Sequence, residues 1–377
     1  MQNMPVIEIV QAEDGHLESF YDIVARTYHS GDPIPEERRE RRAAYQRFVA
    51  VRDGQAVGAY SLLDHDIWVR NGVIRCAGVA AVAVPPEARD GGVGAAMMKG
   101  AIERMRTDGY AMATLYAYRE PFYAKSGYAT VGRRLKIECP AHRLPKGGGL
   151  PVRRLTPEDW PLLETCYQDF SRRHNGMALR DREKWQRILG EHRPLTIYAV
   201  GEPVEGYVVV SHKSEFWSTD HISEFVWSTP EGYQALMGVL RGLATNKNAL
   251  TWFEPSDGPF AFHHLDMGTE ISLMRPIMGR IVDTKAALEA CCVEGDGSFS
   301  FTVVEGESWR VEFSQGETTV RPAETGEFSL TIGALTQALY GEPSLADLLR
   351  TGYVGGSVSP DALAFFTPGS GFCLDYF

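Results

Sequence analysis

The sequence predicts an α/β (α+β) chain built from two tandem mixed-sheet units, at residues 1–145 and 146–279, and a closing α+β unit at 280–377. Three observations predict it. A strand, a glycine-rich loop, a helix and a strand follow one another between 78 and 118, and the same order recurs between 223 and 253. From about 280 the pattern changes to short alternating runs separated by Glu-Gly and Gln-Gly turns.

The length of 377 residues suits two to four domains at roughly 100–200 residues each. With 44% hydrophobic and 23% charged residues, the composition is that of a folded chain throughout. The stretch His142-Arg143-Leu144-Pro145-Lys146-Gly147-Gly148-Gly149 holds no regular element and marks the first boundary.

In the first unit, apolar runs at 48–51 and 56–62 flank Arg52-Asp53-Gly54-Gln55, whose Asp-Gly is a hairpin turn signal. Residues 78–84 are almost wholly apolar, as in a strand covered on both faces. Pro85-Pro86 and the loop Arg89-Asp90-Gly91-Gly92-Val93-Gly94 follow. A helix then carries Met97, Met98, Ala101, Ile102 and Met105 on one face and closes at Gly109. Residues 111–118 form the next strand.

The second unit repeats this with a hairpin at 196–200 and 207–211, a strand at 223–227, a helix at 233–243 and a strand at 249–253. Its loop, Ser228-Thr229-Pro230-Glu231-Gly232, lacks the paired glycines, so this copy is read as having no cofactor site. In the third unit, runs at 299–304, 309–313 and 318–321 form a β-meander, followed by helices at 332–340 and 345–349.

A glycine-rich loop opening a helix either turns the chain or gathers backbone N–H groups, aided by the helix dipole, around an anion such as a pyrophosphate. Gly91, Gly92 and Gly94 are placed for the second role. No Gly-Lys-Ser/Thr follows, which excludes a P-loop, and Met97 stands where a dinucleotide fingerprint requires a third Gly or Ala.

Val82-Ala83-Val84-Pro85, Arg89-x-x-Gly92-x-Gly94, a helix, a strand, and then Phe122-Tyr123-Ala124-Lys125-Ser126-Gly127-Tyr128 resemble the signature of GNAT-type N-acetyltransferases. Two such segments, a sterol-carrier-like β-rich domain and a terminal phenylalanine resemble the Eis (enhanced intracellular survival) family over the whole chain. The resemblance implies an acetyl-CoA-dependent enzyme. Backbone at Val82, Ala83 and Val84 would pair with the pantetheine arm, and amides from Asp90 through Gly91, Gly92, Val93 and Gly94 to Ala95 would hold the pyrophosphate. Tyr118 and Arg119 would line the other side of the coenzyme, with Arg89 at the start of the loop.

Tyr123 is then the general acid that protonates the leaving thiolate, although by residue type alone a tyrosine is more often a packed aromatic. The resemblance further implies that the C-terminal carboxylate of Phe377 enters the first unit's site as general base. The run Phe372-Cys373-Leu374-Asp375-Tyr376-Phe377 is apolar enough to be buried, which would fix that carboxylate. Tyr376 carries no charge, and the acidic side chain sits one position earlier, at Asp375.

The formal net charge of -11 opposes a nucleic-acid partner and suits a cationic amine acceptor of aminoglycoside, polyamine or lysine type. Cys76, Cys139, Cys166, Cys291, Cys292 and Cys373 form neither a disulfide framework nor a C-x-x-C metal site, and His263-His264 and Asp64-His65-Asp66 lack ligand spacing, so no metal is expected. The basic run at 38–42 is interleaved with Glu36, Glu37 and Glu40 and is read as a solvated helix face at the cleft mouth. No apolar run reaches the roughly 18 residues of a membrane span, and the first residues do not read as a secretory signal, so a cytoplasmic protein is expected. The resemblance implies a homo-oligomer, a hexamer. The rival reading is a regulatory protein that binds coenzyme A or a lipid without transfer.

Overall fold

The computed structural model describes residues 6–375 apart from 14, 41, 43, 90, 191–194, 212–219, 244–248, 266, 267, 275, 276 and 305. Asp90, Tyr376 and Phe377, each of which the sequence singles out, lie outside the described residues.

Three sheets organise the chain. The first runs, in order, Glu8–Gln11, Gln46–Arg52, Gln55–Asp64, Cys76–Ala83, Met112–Tyr116, Ile277–Ile281 and Ala129–Gly132. The second runs Val152–Leu155, Leu195–Val200, Gly206–Ser211, Asp220–Trp227, Leu250–Pro255, Arg134–Cys139 and Glu270–Leu273. In each, the fourth and fifth strands are parallel and the other neighbours antiparallel. The two units therefore share one plan.

The sixth place in each sheet is filled from the other unit's stretch of sequence. Ile277–Ile281, which straddles the end of the second unit, pairs with Met112–Tyr116 of the first sheet; Arg134–Cys139, near the end of the first unit, pairs with Leu250–Pro255 of the second. This exchange crosses the divides drawn at residues 145 and 279. Sequence punctuation marks where the chain is irregular, whereas a strand's partner is chosen by the apolar face it must cover.

The expected strands are present with shifted ends: 78–84 is observed as Cys76–Ala83 and 111–118 as Met112–Tyr116, so Val84, Tyr118 and Arg119 fall in connections. Two helices absent from the sequence reading pack on the sheets, Leu17–Tyr28 on Gln46–Arg52, Gln55–Asp64 and Cys76–Ala83, and Trp160–Arg172 on Asp220–Trp227. Phe20, Tyr21, Ile23 and Val24 recur at helical spacing and pack on Val49, Ala59 and Ala83.

In the third unit, Gly297–Val303, Ser308–Ser314 and Glu317–Ala323 form the expected antiparallel run, but Phe328–Leu330 then lies parallel to the first of them and is edged by Val354–Gly356. The sheet is thus more than a meander. Its core takes in a hairpin from the first unit: Ile67, Val69 and Ile74 are buried among Phe299, Leu335 and Tyr340. The hairpin turns through Arg70 and Asn71, at φ 47° and 60°, the left-handed pair of a two-residue turn. The Arg70 guanidinium is spent on the Thr367 and Ala338 carbonyls, at 2.7 and 2.8 Å, which ties the units together.

Candidate active site

The parallel strands Cys76–Ala83 and Met112–Tyr116 pair only over Cys76–Gly78 and Met112–Thr114. Beyond that they part. The cause is on Cys76–Ala83: its register against Gln55–Asp64 shifts between Ser61 and Ala59, and Ala81 takes φ +51°. This is a β-bulge, which bends a strand and frees backbone from the ladder. The sequence runs straight from the bulge into Pro86–Ala88, the glycine loop and the helix Val93–Thr107.

That helix begins at Gly92, whose φ of +75° favours glycine. A Cβ on Gly94 would lie 2.8 Å from the Phe122 ring, so loop and ring approach as closely as hydrogen permits. The loop, the helix and the segment 119–126 enclose a groove of about 920 Å³. Arg89, Lys99, Arg106, Arg119, Lys125 and Arg280 line it, with Glu103 as the acid among them. Cations and helix-start amides converging on one groove make a polyanion site.

Of the residues singled out in the sequence, Val84, Arg89, Gly92, Val93, Gly94, Ala95 and Arg119 line this groove. Val82, Ala83, Gly91, Tyr118 and Tyr123 are not in its described lining. Two carbonyls expected to face the coenzyme arm are engaged within the protein: Val82 accepts from the Tyr28 hydroxyl at 2.5 Å, and Val84 from Arg89 Nε at 3.2 Å. Tyr118 projects outward and is 84% exposed. Lys99, Glu103 and Arg106 escaped the sequence reading although their spacing of four and three puts them on one helix face, and Ile102, read there with the apolar face, lines the groove beside them. Arg280 could not be found locally, because it reaches the groove only through the exchanged strand.

Tyr123 sits in the short helix Glu120–Ala124 and is 8% exposed. Its ring meets Phe122 edge-on at 4.9 Å and Tyr128 at 6.2 Å. Burial pushes its phenol well above the ordinary value, and the neighbouring Tyr28 adds to the effect. Tyr123 therefore holds its proton at any physiological pH.

The tail reaches this region from the third unit. Gly371 accepts from the Arg133 N–H at 3.1 Å, and Phe372 donates to the Asn175 carbonyl at 3.0 Å, so it threads between units. At its described end the Tyr116 hydroxyl donates to the Asp375 carbonyl at 3.0 Å. The Asp375 carboxylate accepts from Arg180 Nε at 3.1 Å and from the Tyr167 hydroxyl at 3.2 Å. Arg180 also forks onto Glu224 at 2.6 and 3.0 Å. Burial works to raise the Asp375 carboxyl, but Arg180 and His65 outweigh it and hold the group below the usual carboxylate range.

An acetyltransferase (GNAT) domain model matches residues 8–131 and a second matches 176–281, while a sterol carrier protein domain model matches 285–373. The N-acetyltransferase Eis of Mycobacterium tuberculosis is 26% identical over 309 residues, covering 76% of this chain and 72% of that protein; Eis of Mycobacterium bovis is similar to the same extent. The chain is a GNAT N-acetyltransferase, similar to Eis over most of its length. Solved structures share the fold over 99% of this chain and 100% of theirs. A GCN5-related N-acetyltransferase from Anabaena variabilis does so with a TM-score of 0.88 at 18% identity, and Eis1 from Mycobacterium abscessus with 0.78 at 20%.

Members of the GNAT superfamily use acetyl-CoA, and the first unit's groove fits that cosubstrate: cations and amides for the phosphates, and parted strands for the arm. The second unit's equivalent place differs. There Thr229 Oγ accepts the Gly232 N–H at 2.9 Å and donates to the Glu205 carboxylate at 2.6 Å. A carboxylate thus stands at the start of the helix Pro230–Leu243, where an anion would otherwise bind, and a Cβ on Gly232 would lie 2.3 Å from the Glu205 carbonyl.

Proposed function

We propose that the chain transfers acetyl from acetyl-CoA to a primary amine by direct attack, at a single site per chain in the first unit, with the second unit and the third as its scaffold. The observation that carries this reading is the glycine-led helix start opening beside the parted strands, ringed by Arg89, Lys99, Arg106, Arg119, Lys125 and Arg280.

Acetyl-CoA supplies a thioester whose C–S bond breaks as the amine nitrogen forms its new C–N bond. Tyr123, kept protonated by burial, gives its phenolic proton to the departing sulfur. The terminal carboxylate of Phe377 takes the proton shed by nitrogen. Support for that base comes from Asp375, two residues earlier, which is clamped by Arg180 and tied by its carbonyl to Tyr116 at the end of a parted strand. Backbone at Val82, Ala83 and Val84 pairs with the arm, amides from Asp90 to Ala95 hold the phosphates, and Tyr118 and Arg119 line the other side of the coenzyme. Assembly is as a cytoplasmic homo-oligomer, a hexamer by family resemblance.

The test is Tyr123→Phe, which lowers kcat by roughly 10²–10⁴-fold, the range of general acid–base contributions, while acetyl-CoA affinity stays close to that of the parent. An unchanged kcat removes Tyr123 from the mechanism. Free thiol release that tracks the concentration of added amine counts against the rival regulatory role. Extending the chain past Phe377 with a short tag moves the carboxylate and leaves every side chain intact; full activity in that variant removes the base.

A further inference from the structure

A second hollow reaches the bulged strand three residues before the groove does: Ala81 lines the hollow, Val84 the groove. It lies under the helix Leu17–Tyr28 and is walled by His29, Arg38, Arg42 and Arg47, with Tyr21 and Tyr45 between them. About 30 Å³ of it is free, the scale of a water or two, so it takes the tip of a molecule.

Its charge is one-sided. No acidic side chain is in its described lining, and among the described residues no carboxylate lies within ion-pair distance of Arg42 or Arg47. Of the acids nearby, Glu18 and Glu36 are engaged with Arg39, at 3.0 and 4.0 Å, and Asp32 faces His29. Arg47 donates to the Arg42 carbonyl at 2.6 Å and rests over the Tyr21 ring, while Arg42 rests over Tyr45. The guanidinium groups are thereby held in place before any ligand arrives. The His29 imidazole records the same field: burial first, then Arg38 and Arg42, push its pKa down against the opposing pull of Asp32.

Position connects this hollow to the reaction. With phosphates at the amides of 91–95 and the arm running back along Val84 and Val82, the reacting end of the cosubstrate falls beside Ala81. We propose that the hollow receives a carboxylate carried by the acceptor, so that the enzyme prefers amines bearing an acidic group a few bonds from the nucleophilic nitrogen. This rests on the acetyltransferase reading and narrows its substrate class. It also reverses the inference drawn from the net charge of -11, because an acceptor responds to the field at its own site. A second ammonium group in the hollow would meet the like charges of Arg42 and Arg47, which selects against diamines and polyamines.

The experiment uses three matched sets of primary amines: ω-amino carboxylates from glycine to 6-aminohexanoate, n-alkylamines and terminal diamines of the same lengths. Thiol release gives kcat/KM, and calorimetry on the coenzyme A-saturated protein gives 6-aminohexanoate binding. The best amino carboxylate should exceed its alkylamine by roughly tenfold or more, with the diamine lowest. Arg42→Gln should erase the preference and Arg42→Glu should invert it, an inversion that a merely structural arginine cannot produce; a thermal melt checks both folds. Diamines preferred by the parent protein, or an order untouched in both variants, overturns the proposal and leaves the transferase reading standing. Charge-dependent 6-aminohexanoate binding without thiol release from any amine ends the transferase reading and keeps the hollow's preference. Neither binding nor release overturns both.

Discussion

Arg180 and Asp375 meet at 3.1 Å with their side chains 1% and 7% exposed, and this pair fastens the tail of the third unit to the second. Arg180 sits between two carboxylates, Asp375 and Glu224, and over the Tyr167 and Trp185 rings. Replacing it by Gln leaves two buried carboxylates short of a cation. Breaking such a pair costs about 3–5 kcal/mol. Arg180→Gln should therefore melt well below the parent by calorimetry, and limited proteolysis should reach the residues after 370 first. A melting curve equal to the parent's removes the clamp.

The same contact sets an acid limit. Asp375 titrates lower in the folded protein than in the unfolded chain, so its stabilising contribution is complete above the ordinary aspartate value of about 4 and is lost as pH falls through the depressed folded value. Melting temperature against pH should show a steeper acid fall in the parent than in Asp375→Asn. Parallel acid limbs would falsify the assignment.

How much of this was legible beforehand follows from the range of each interaction. Gly91, Gly92 and Gly94 announce themselves as a cluster, and the structure shows why two of them are glycine: Gly92 takes φ +75° and Gly94 abuts the Phe122 ring. The repeat of strand, loop, helix and strand was legible because hydrophobic period is local. The helix Leu17–Tyr28 carried a readable spacing in Phe20, Tyr21, Ile23 and Val24 that was passed over. The Arg180–Asp375 pair spans 195 positions, and no local pattern marks which buried arginine meets which carboxylate. The exchange of Arg134–Cys139 for Ile277–Ile281 is equally silent, since which sheet a strand joins is set by partners far away in the chain.

Tyr123 supplies a pH prediction. Burial raises its phenol above 10, so no alkaline limb from its deprotonation belongs in the kcat profile below pH 10. Tyr123→Phe should lower the whole profile without changing its shape. An alkaline limb near pH 9 that vanishes in Tyr123→Phe would show a phenol of ordinary acidity.

Gly94 is the tightest point of the loop. In Gly94→Ala the new methyl must displace the Phe122 ring, 2.8 Å from it, and overpacking of this kind costs about 1–3 kcal/mol. Phe122 lines the groove, so the displaced ring should also tell on cosubstrate binding: acetyl-CoA affinity falls roughly tenfold, alongside a lowered melting temperature. The double variant Gly94→Ala with Phe122→Leu should recover part of it. Equal affinity in the single variant means the loop gives way without touching the site.

Arg280 tests whether the strand exchange serves the reaction. It stands on Ile277–Ile281 and donates from Nε to the Ser126 carbonyl at 2.7 Å and from Nη1 to the Ile281 carbonyl at 2.8 Å. Burial lowers its pKa, which means its charge is poorly solvated and the groove is short of counter-charge there. An arriving phosphate would supply it. Arg280→Gln should weaken acetyl-CoA roughly tenfold, about 1.4 kcal/mol, and should also flatten the dependence of affinity on salt, because one screened contact is gone. Arg280→Lys keeps the charge and loses the fork, so it should retain most of the salt dependence. If Arg280 only braces Ser126, both variants would lose affinity by the same factor at 50 mM and 500 mM salt, which calorimetry at those two concentrations resolves.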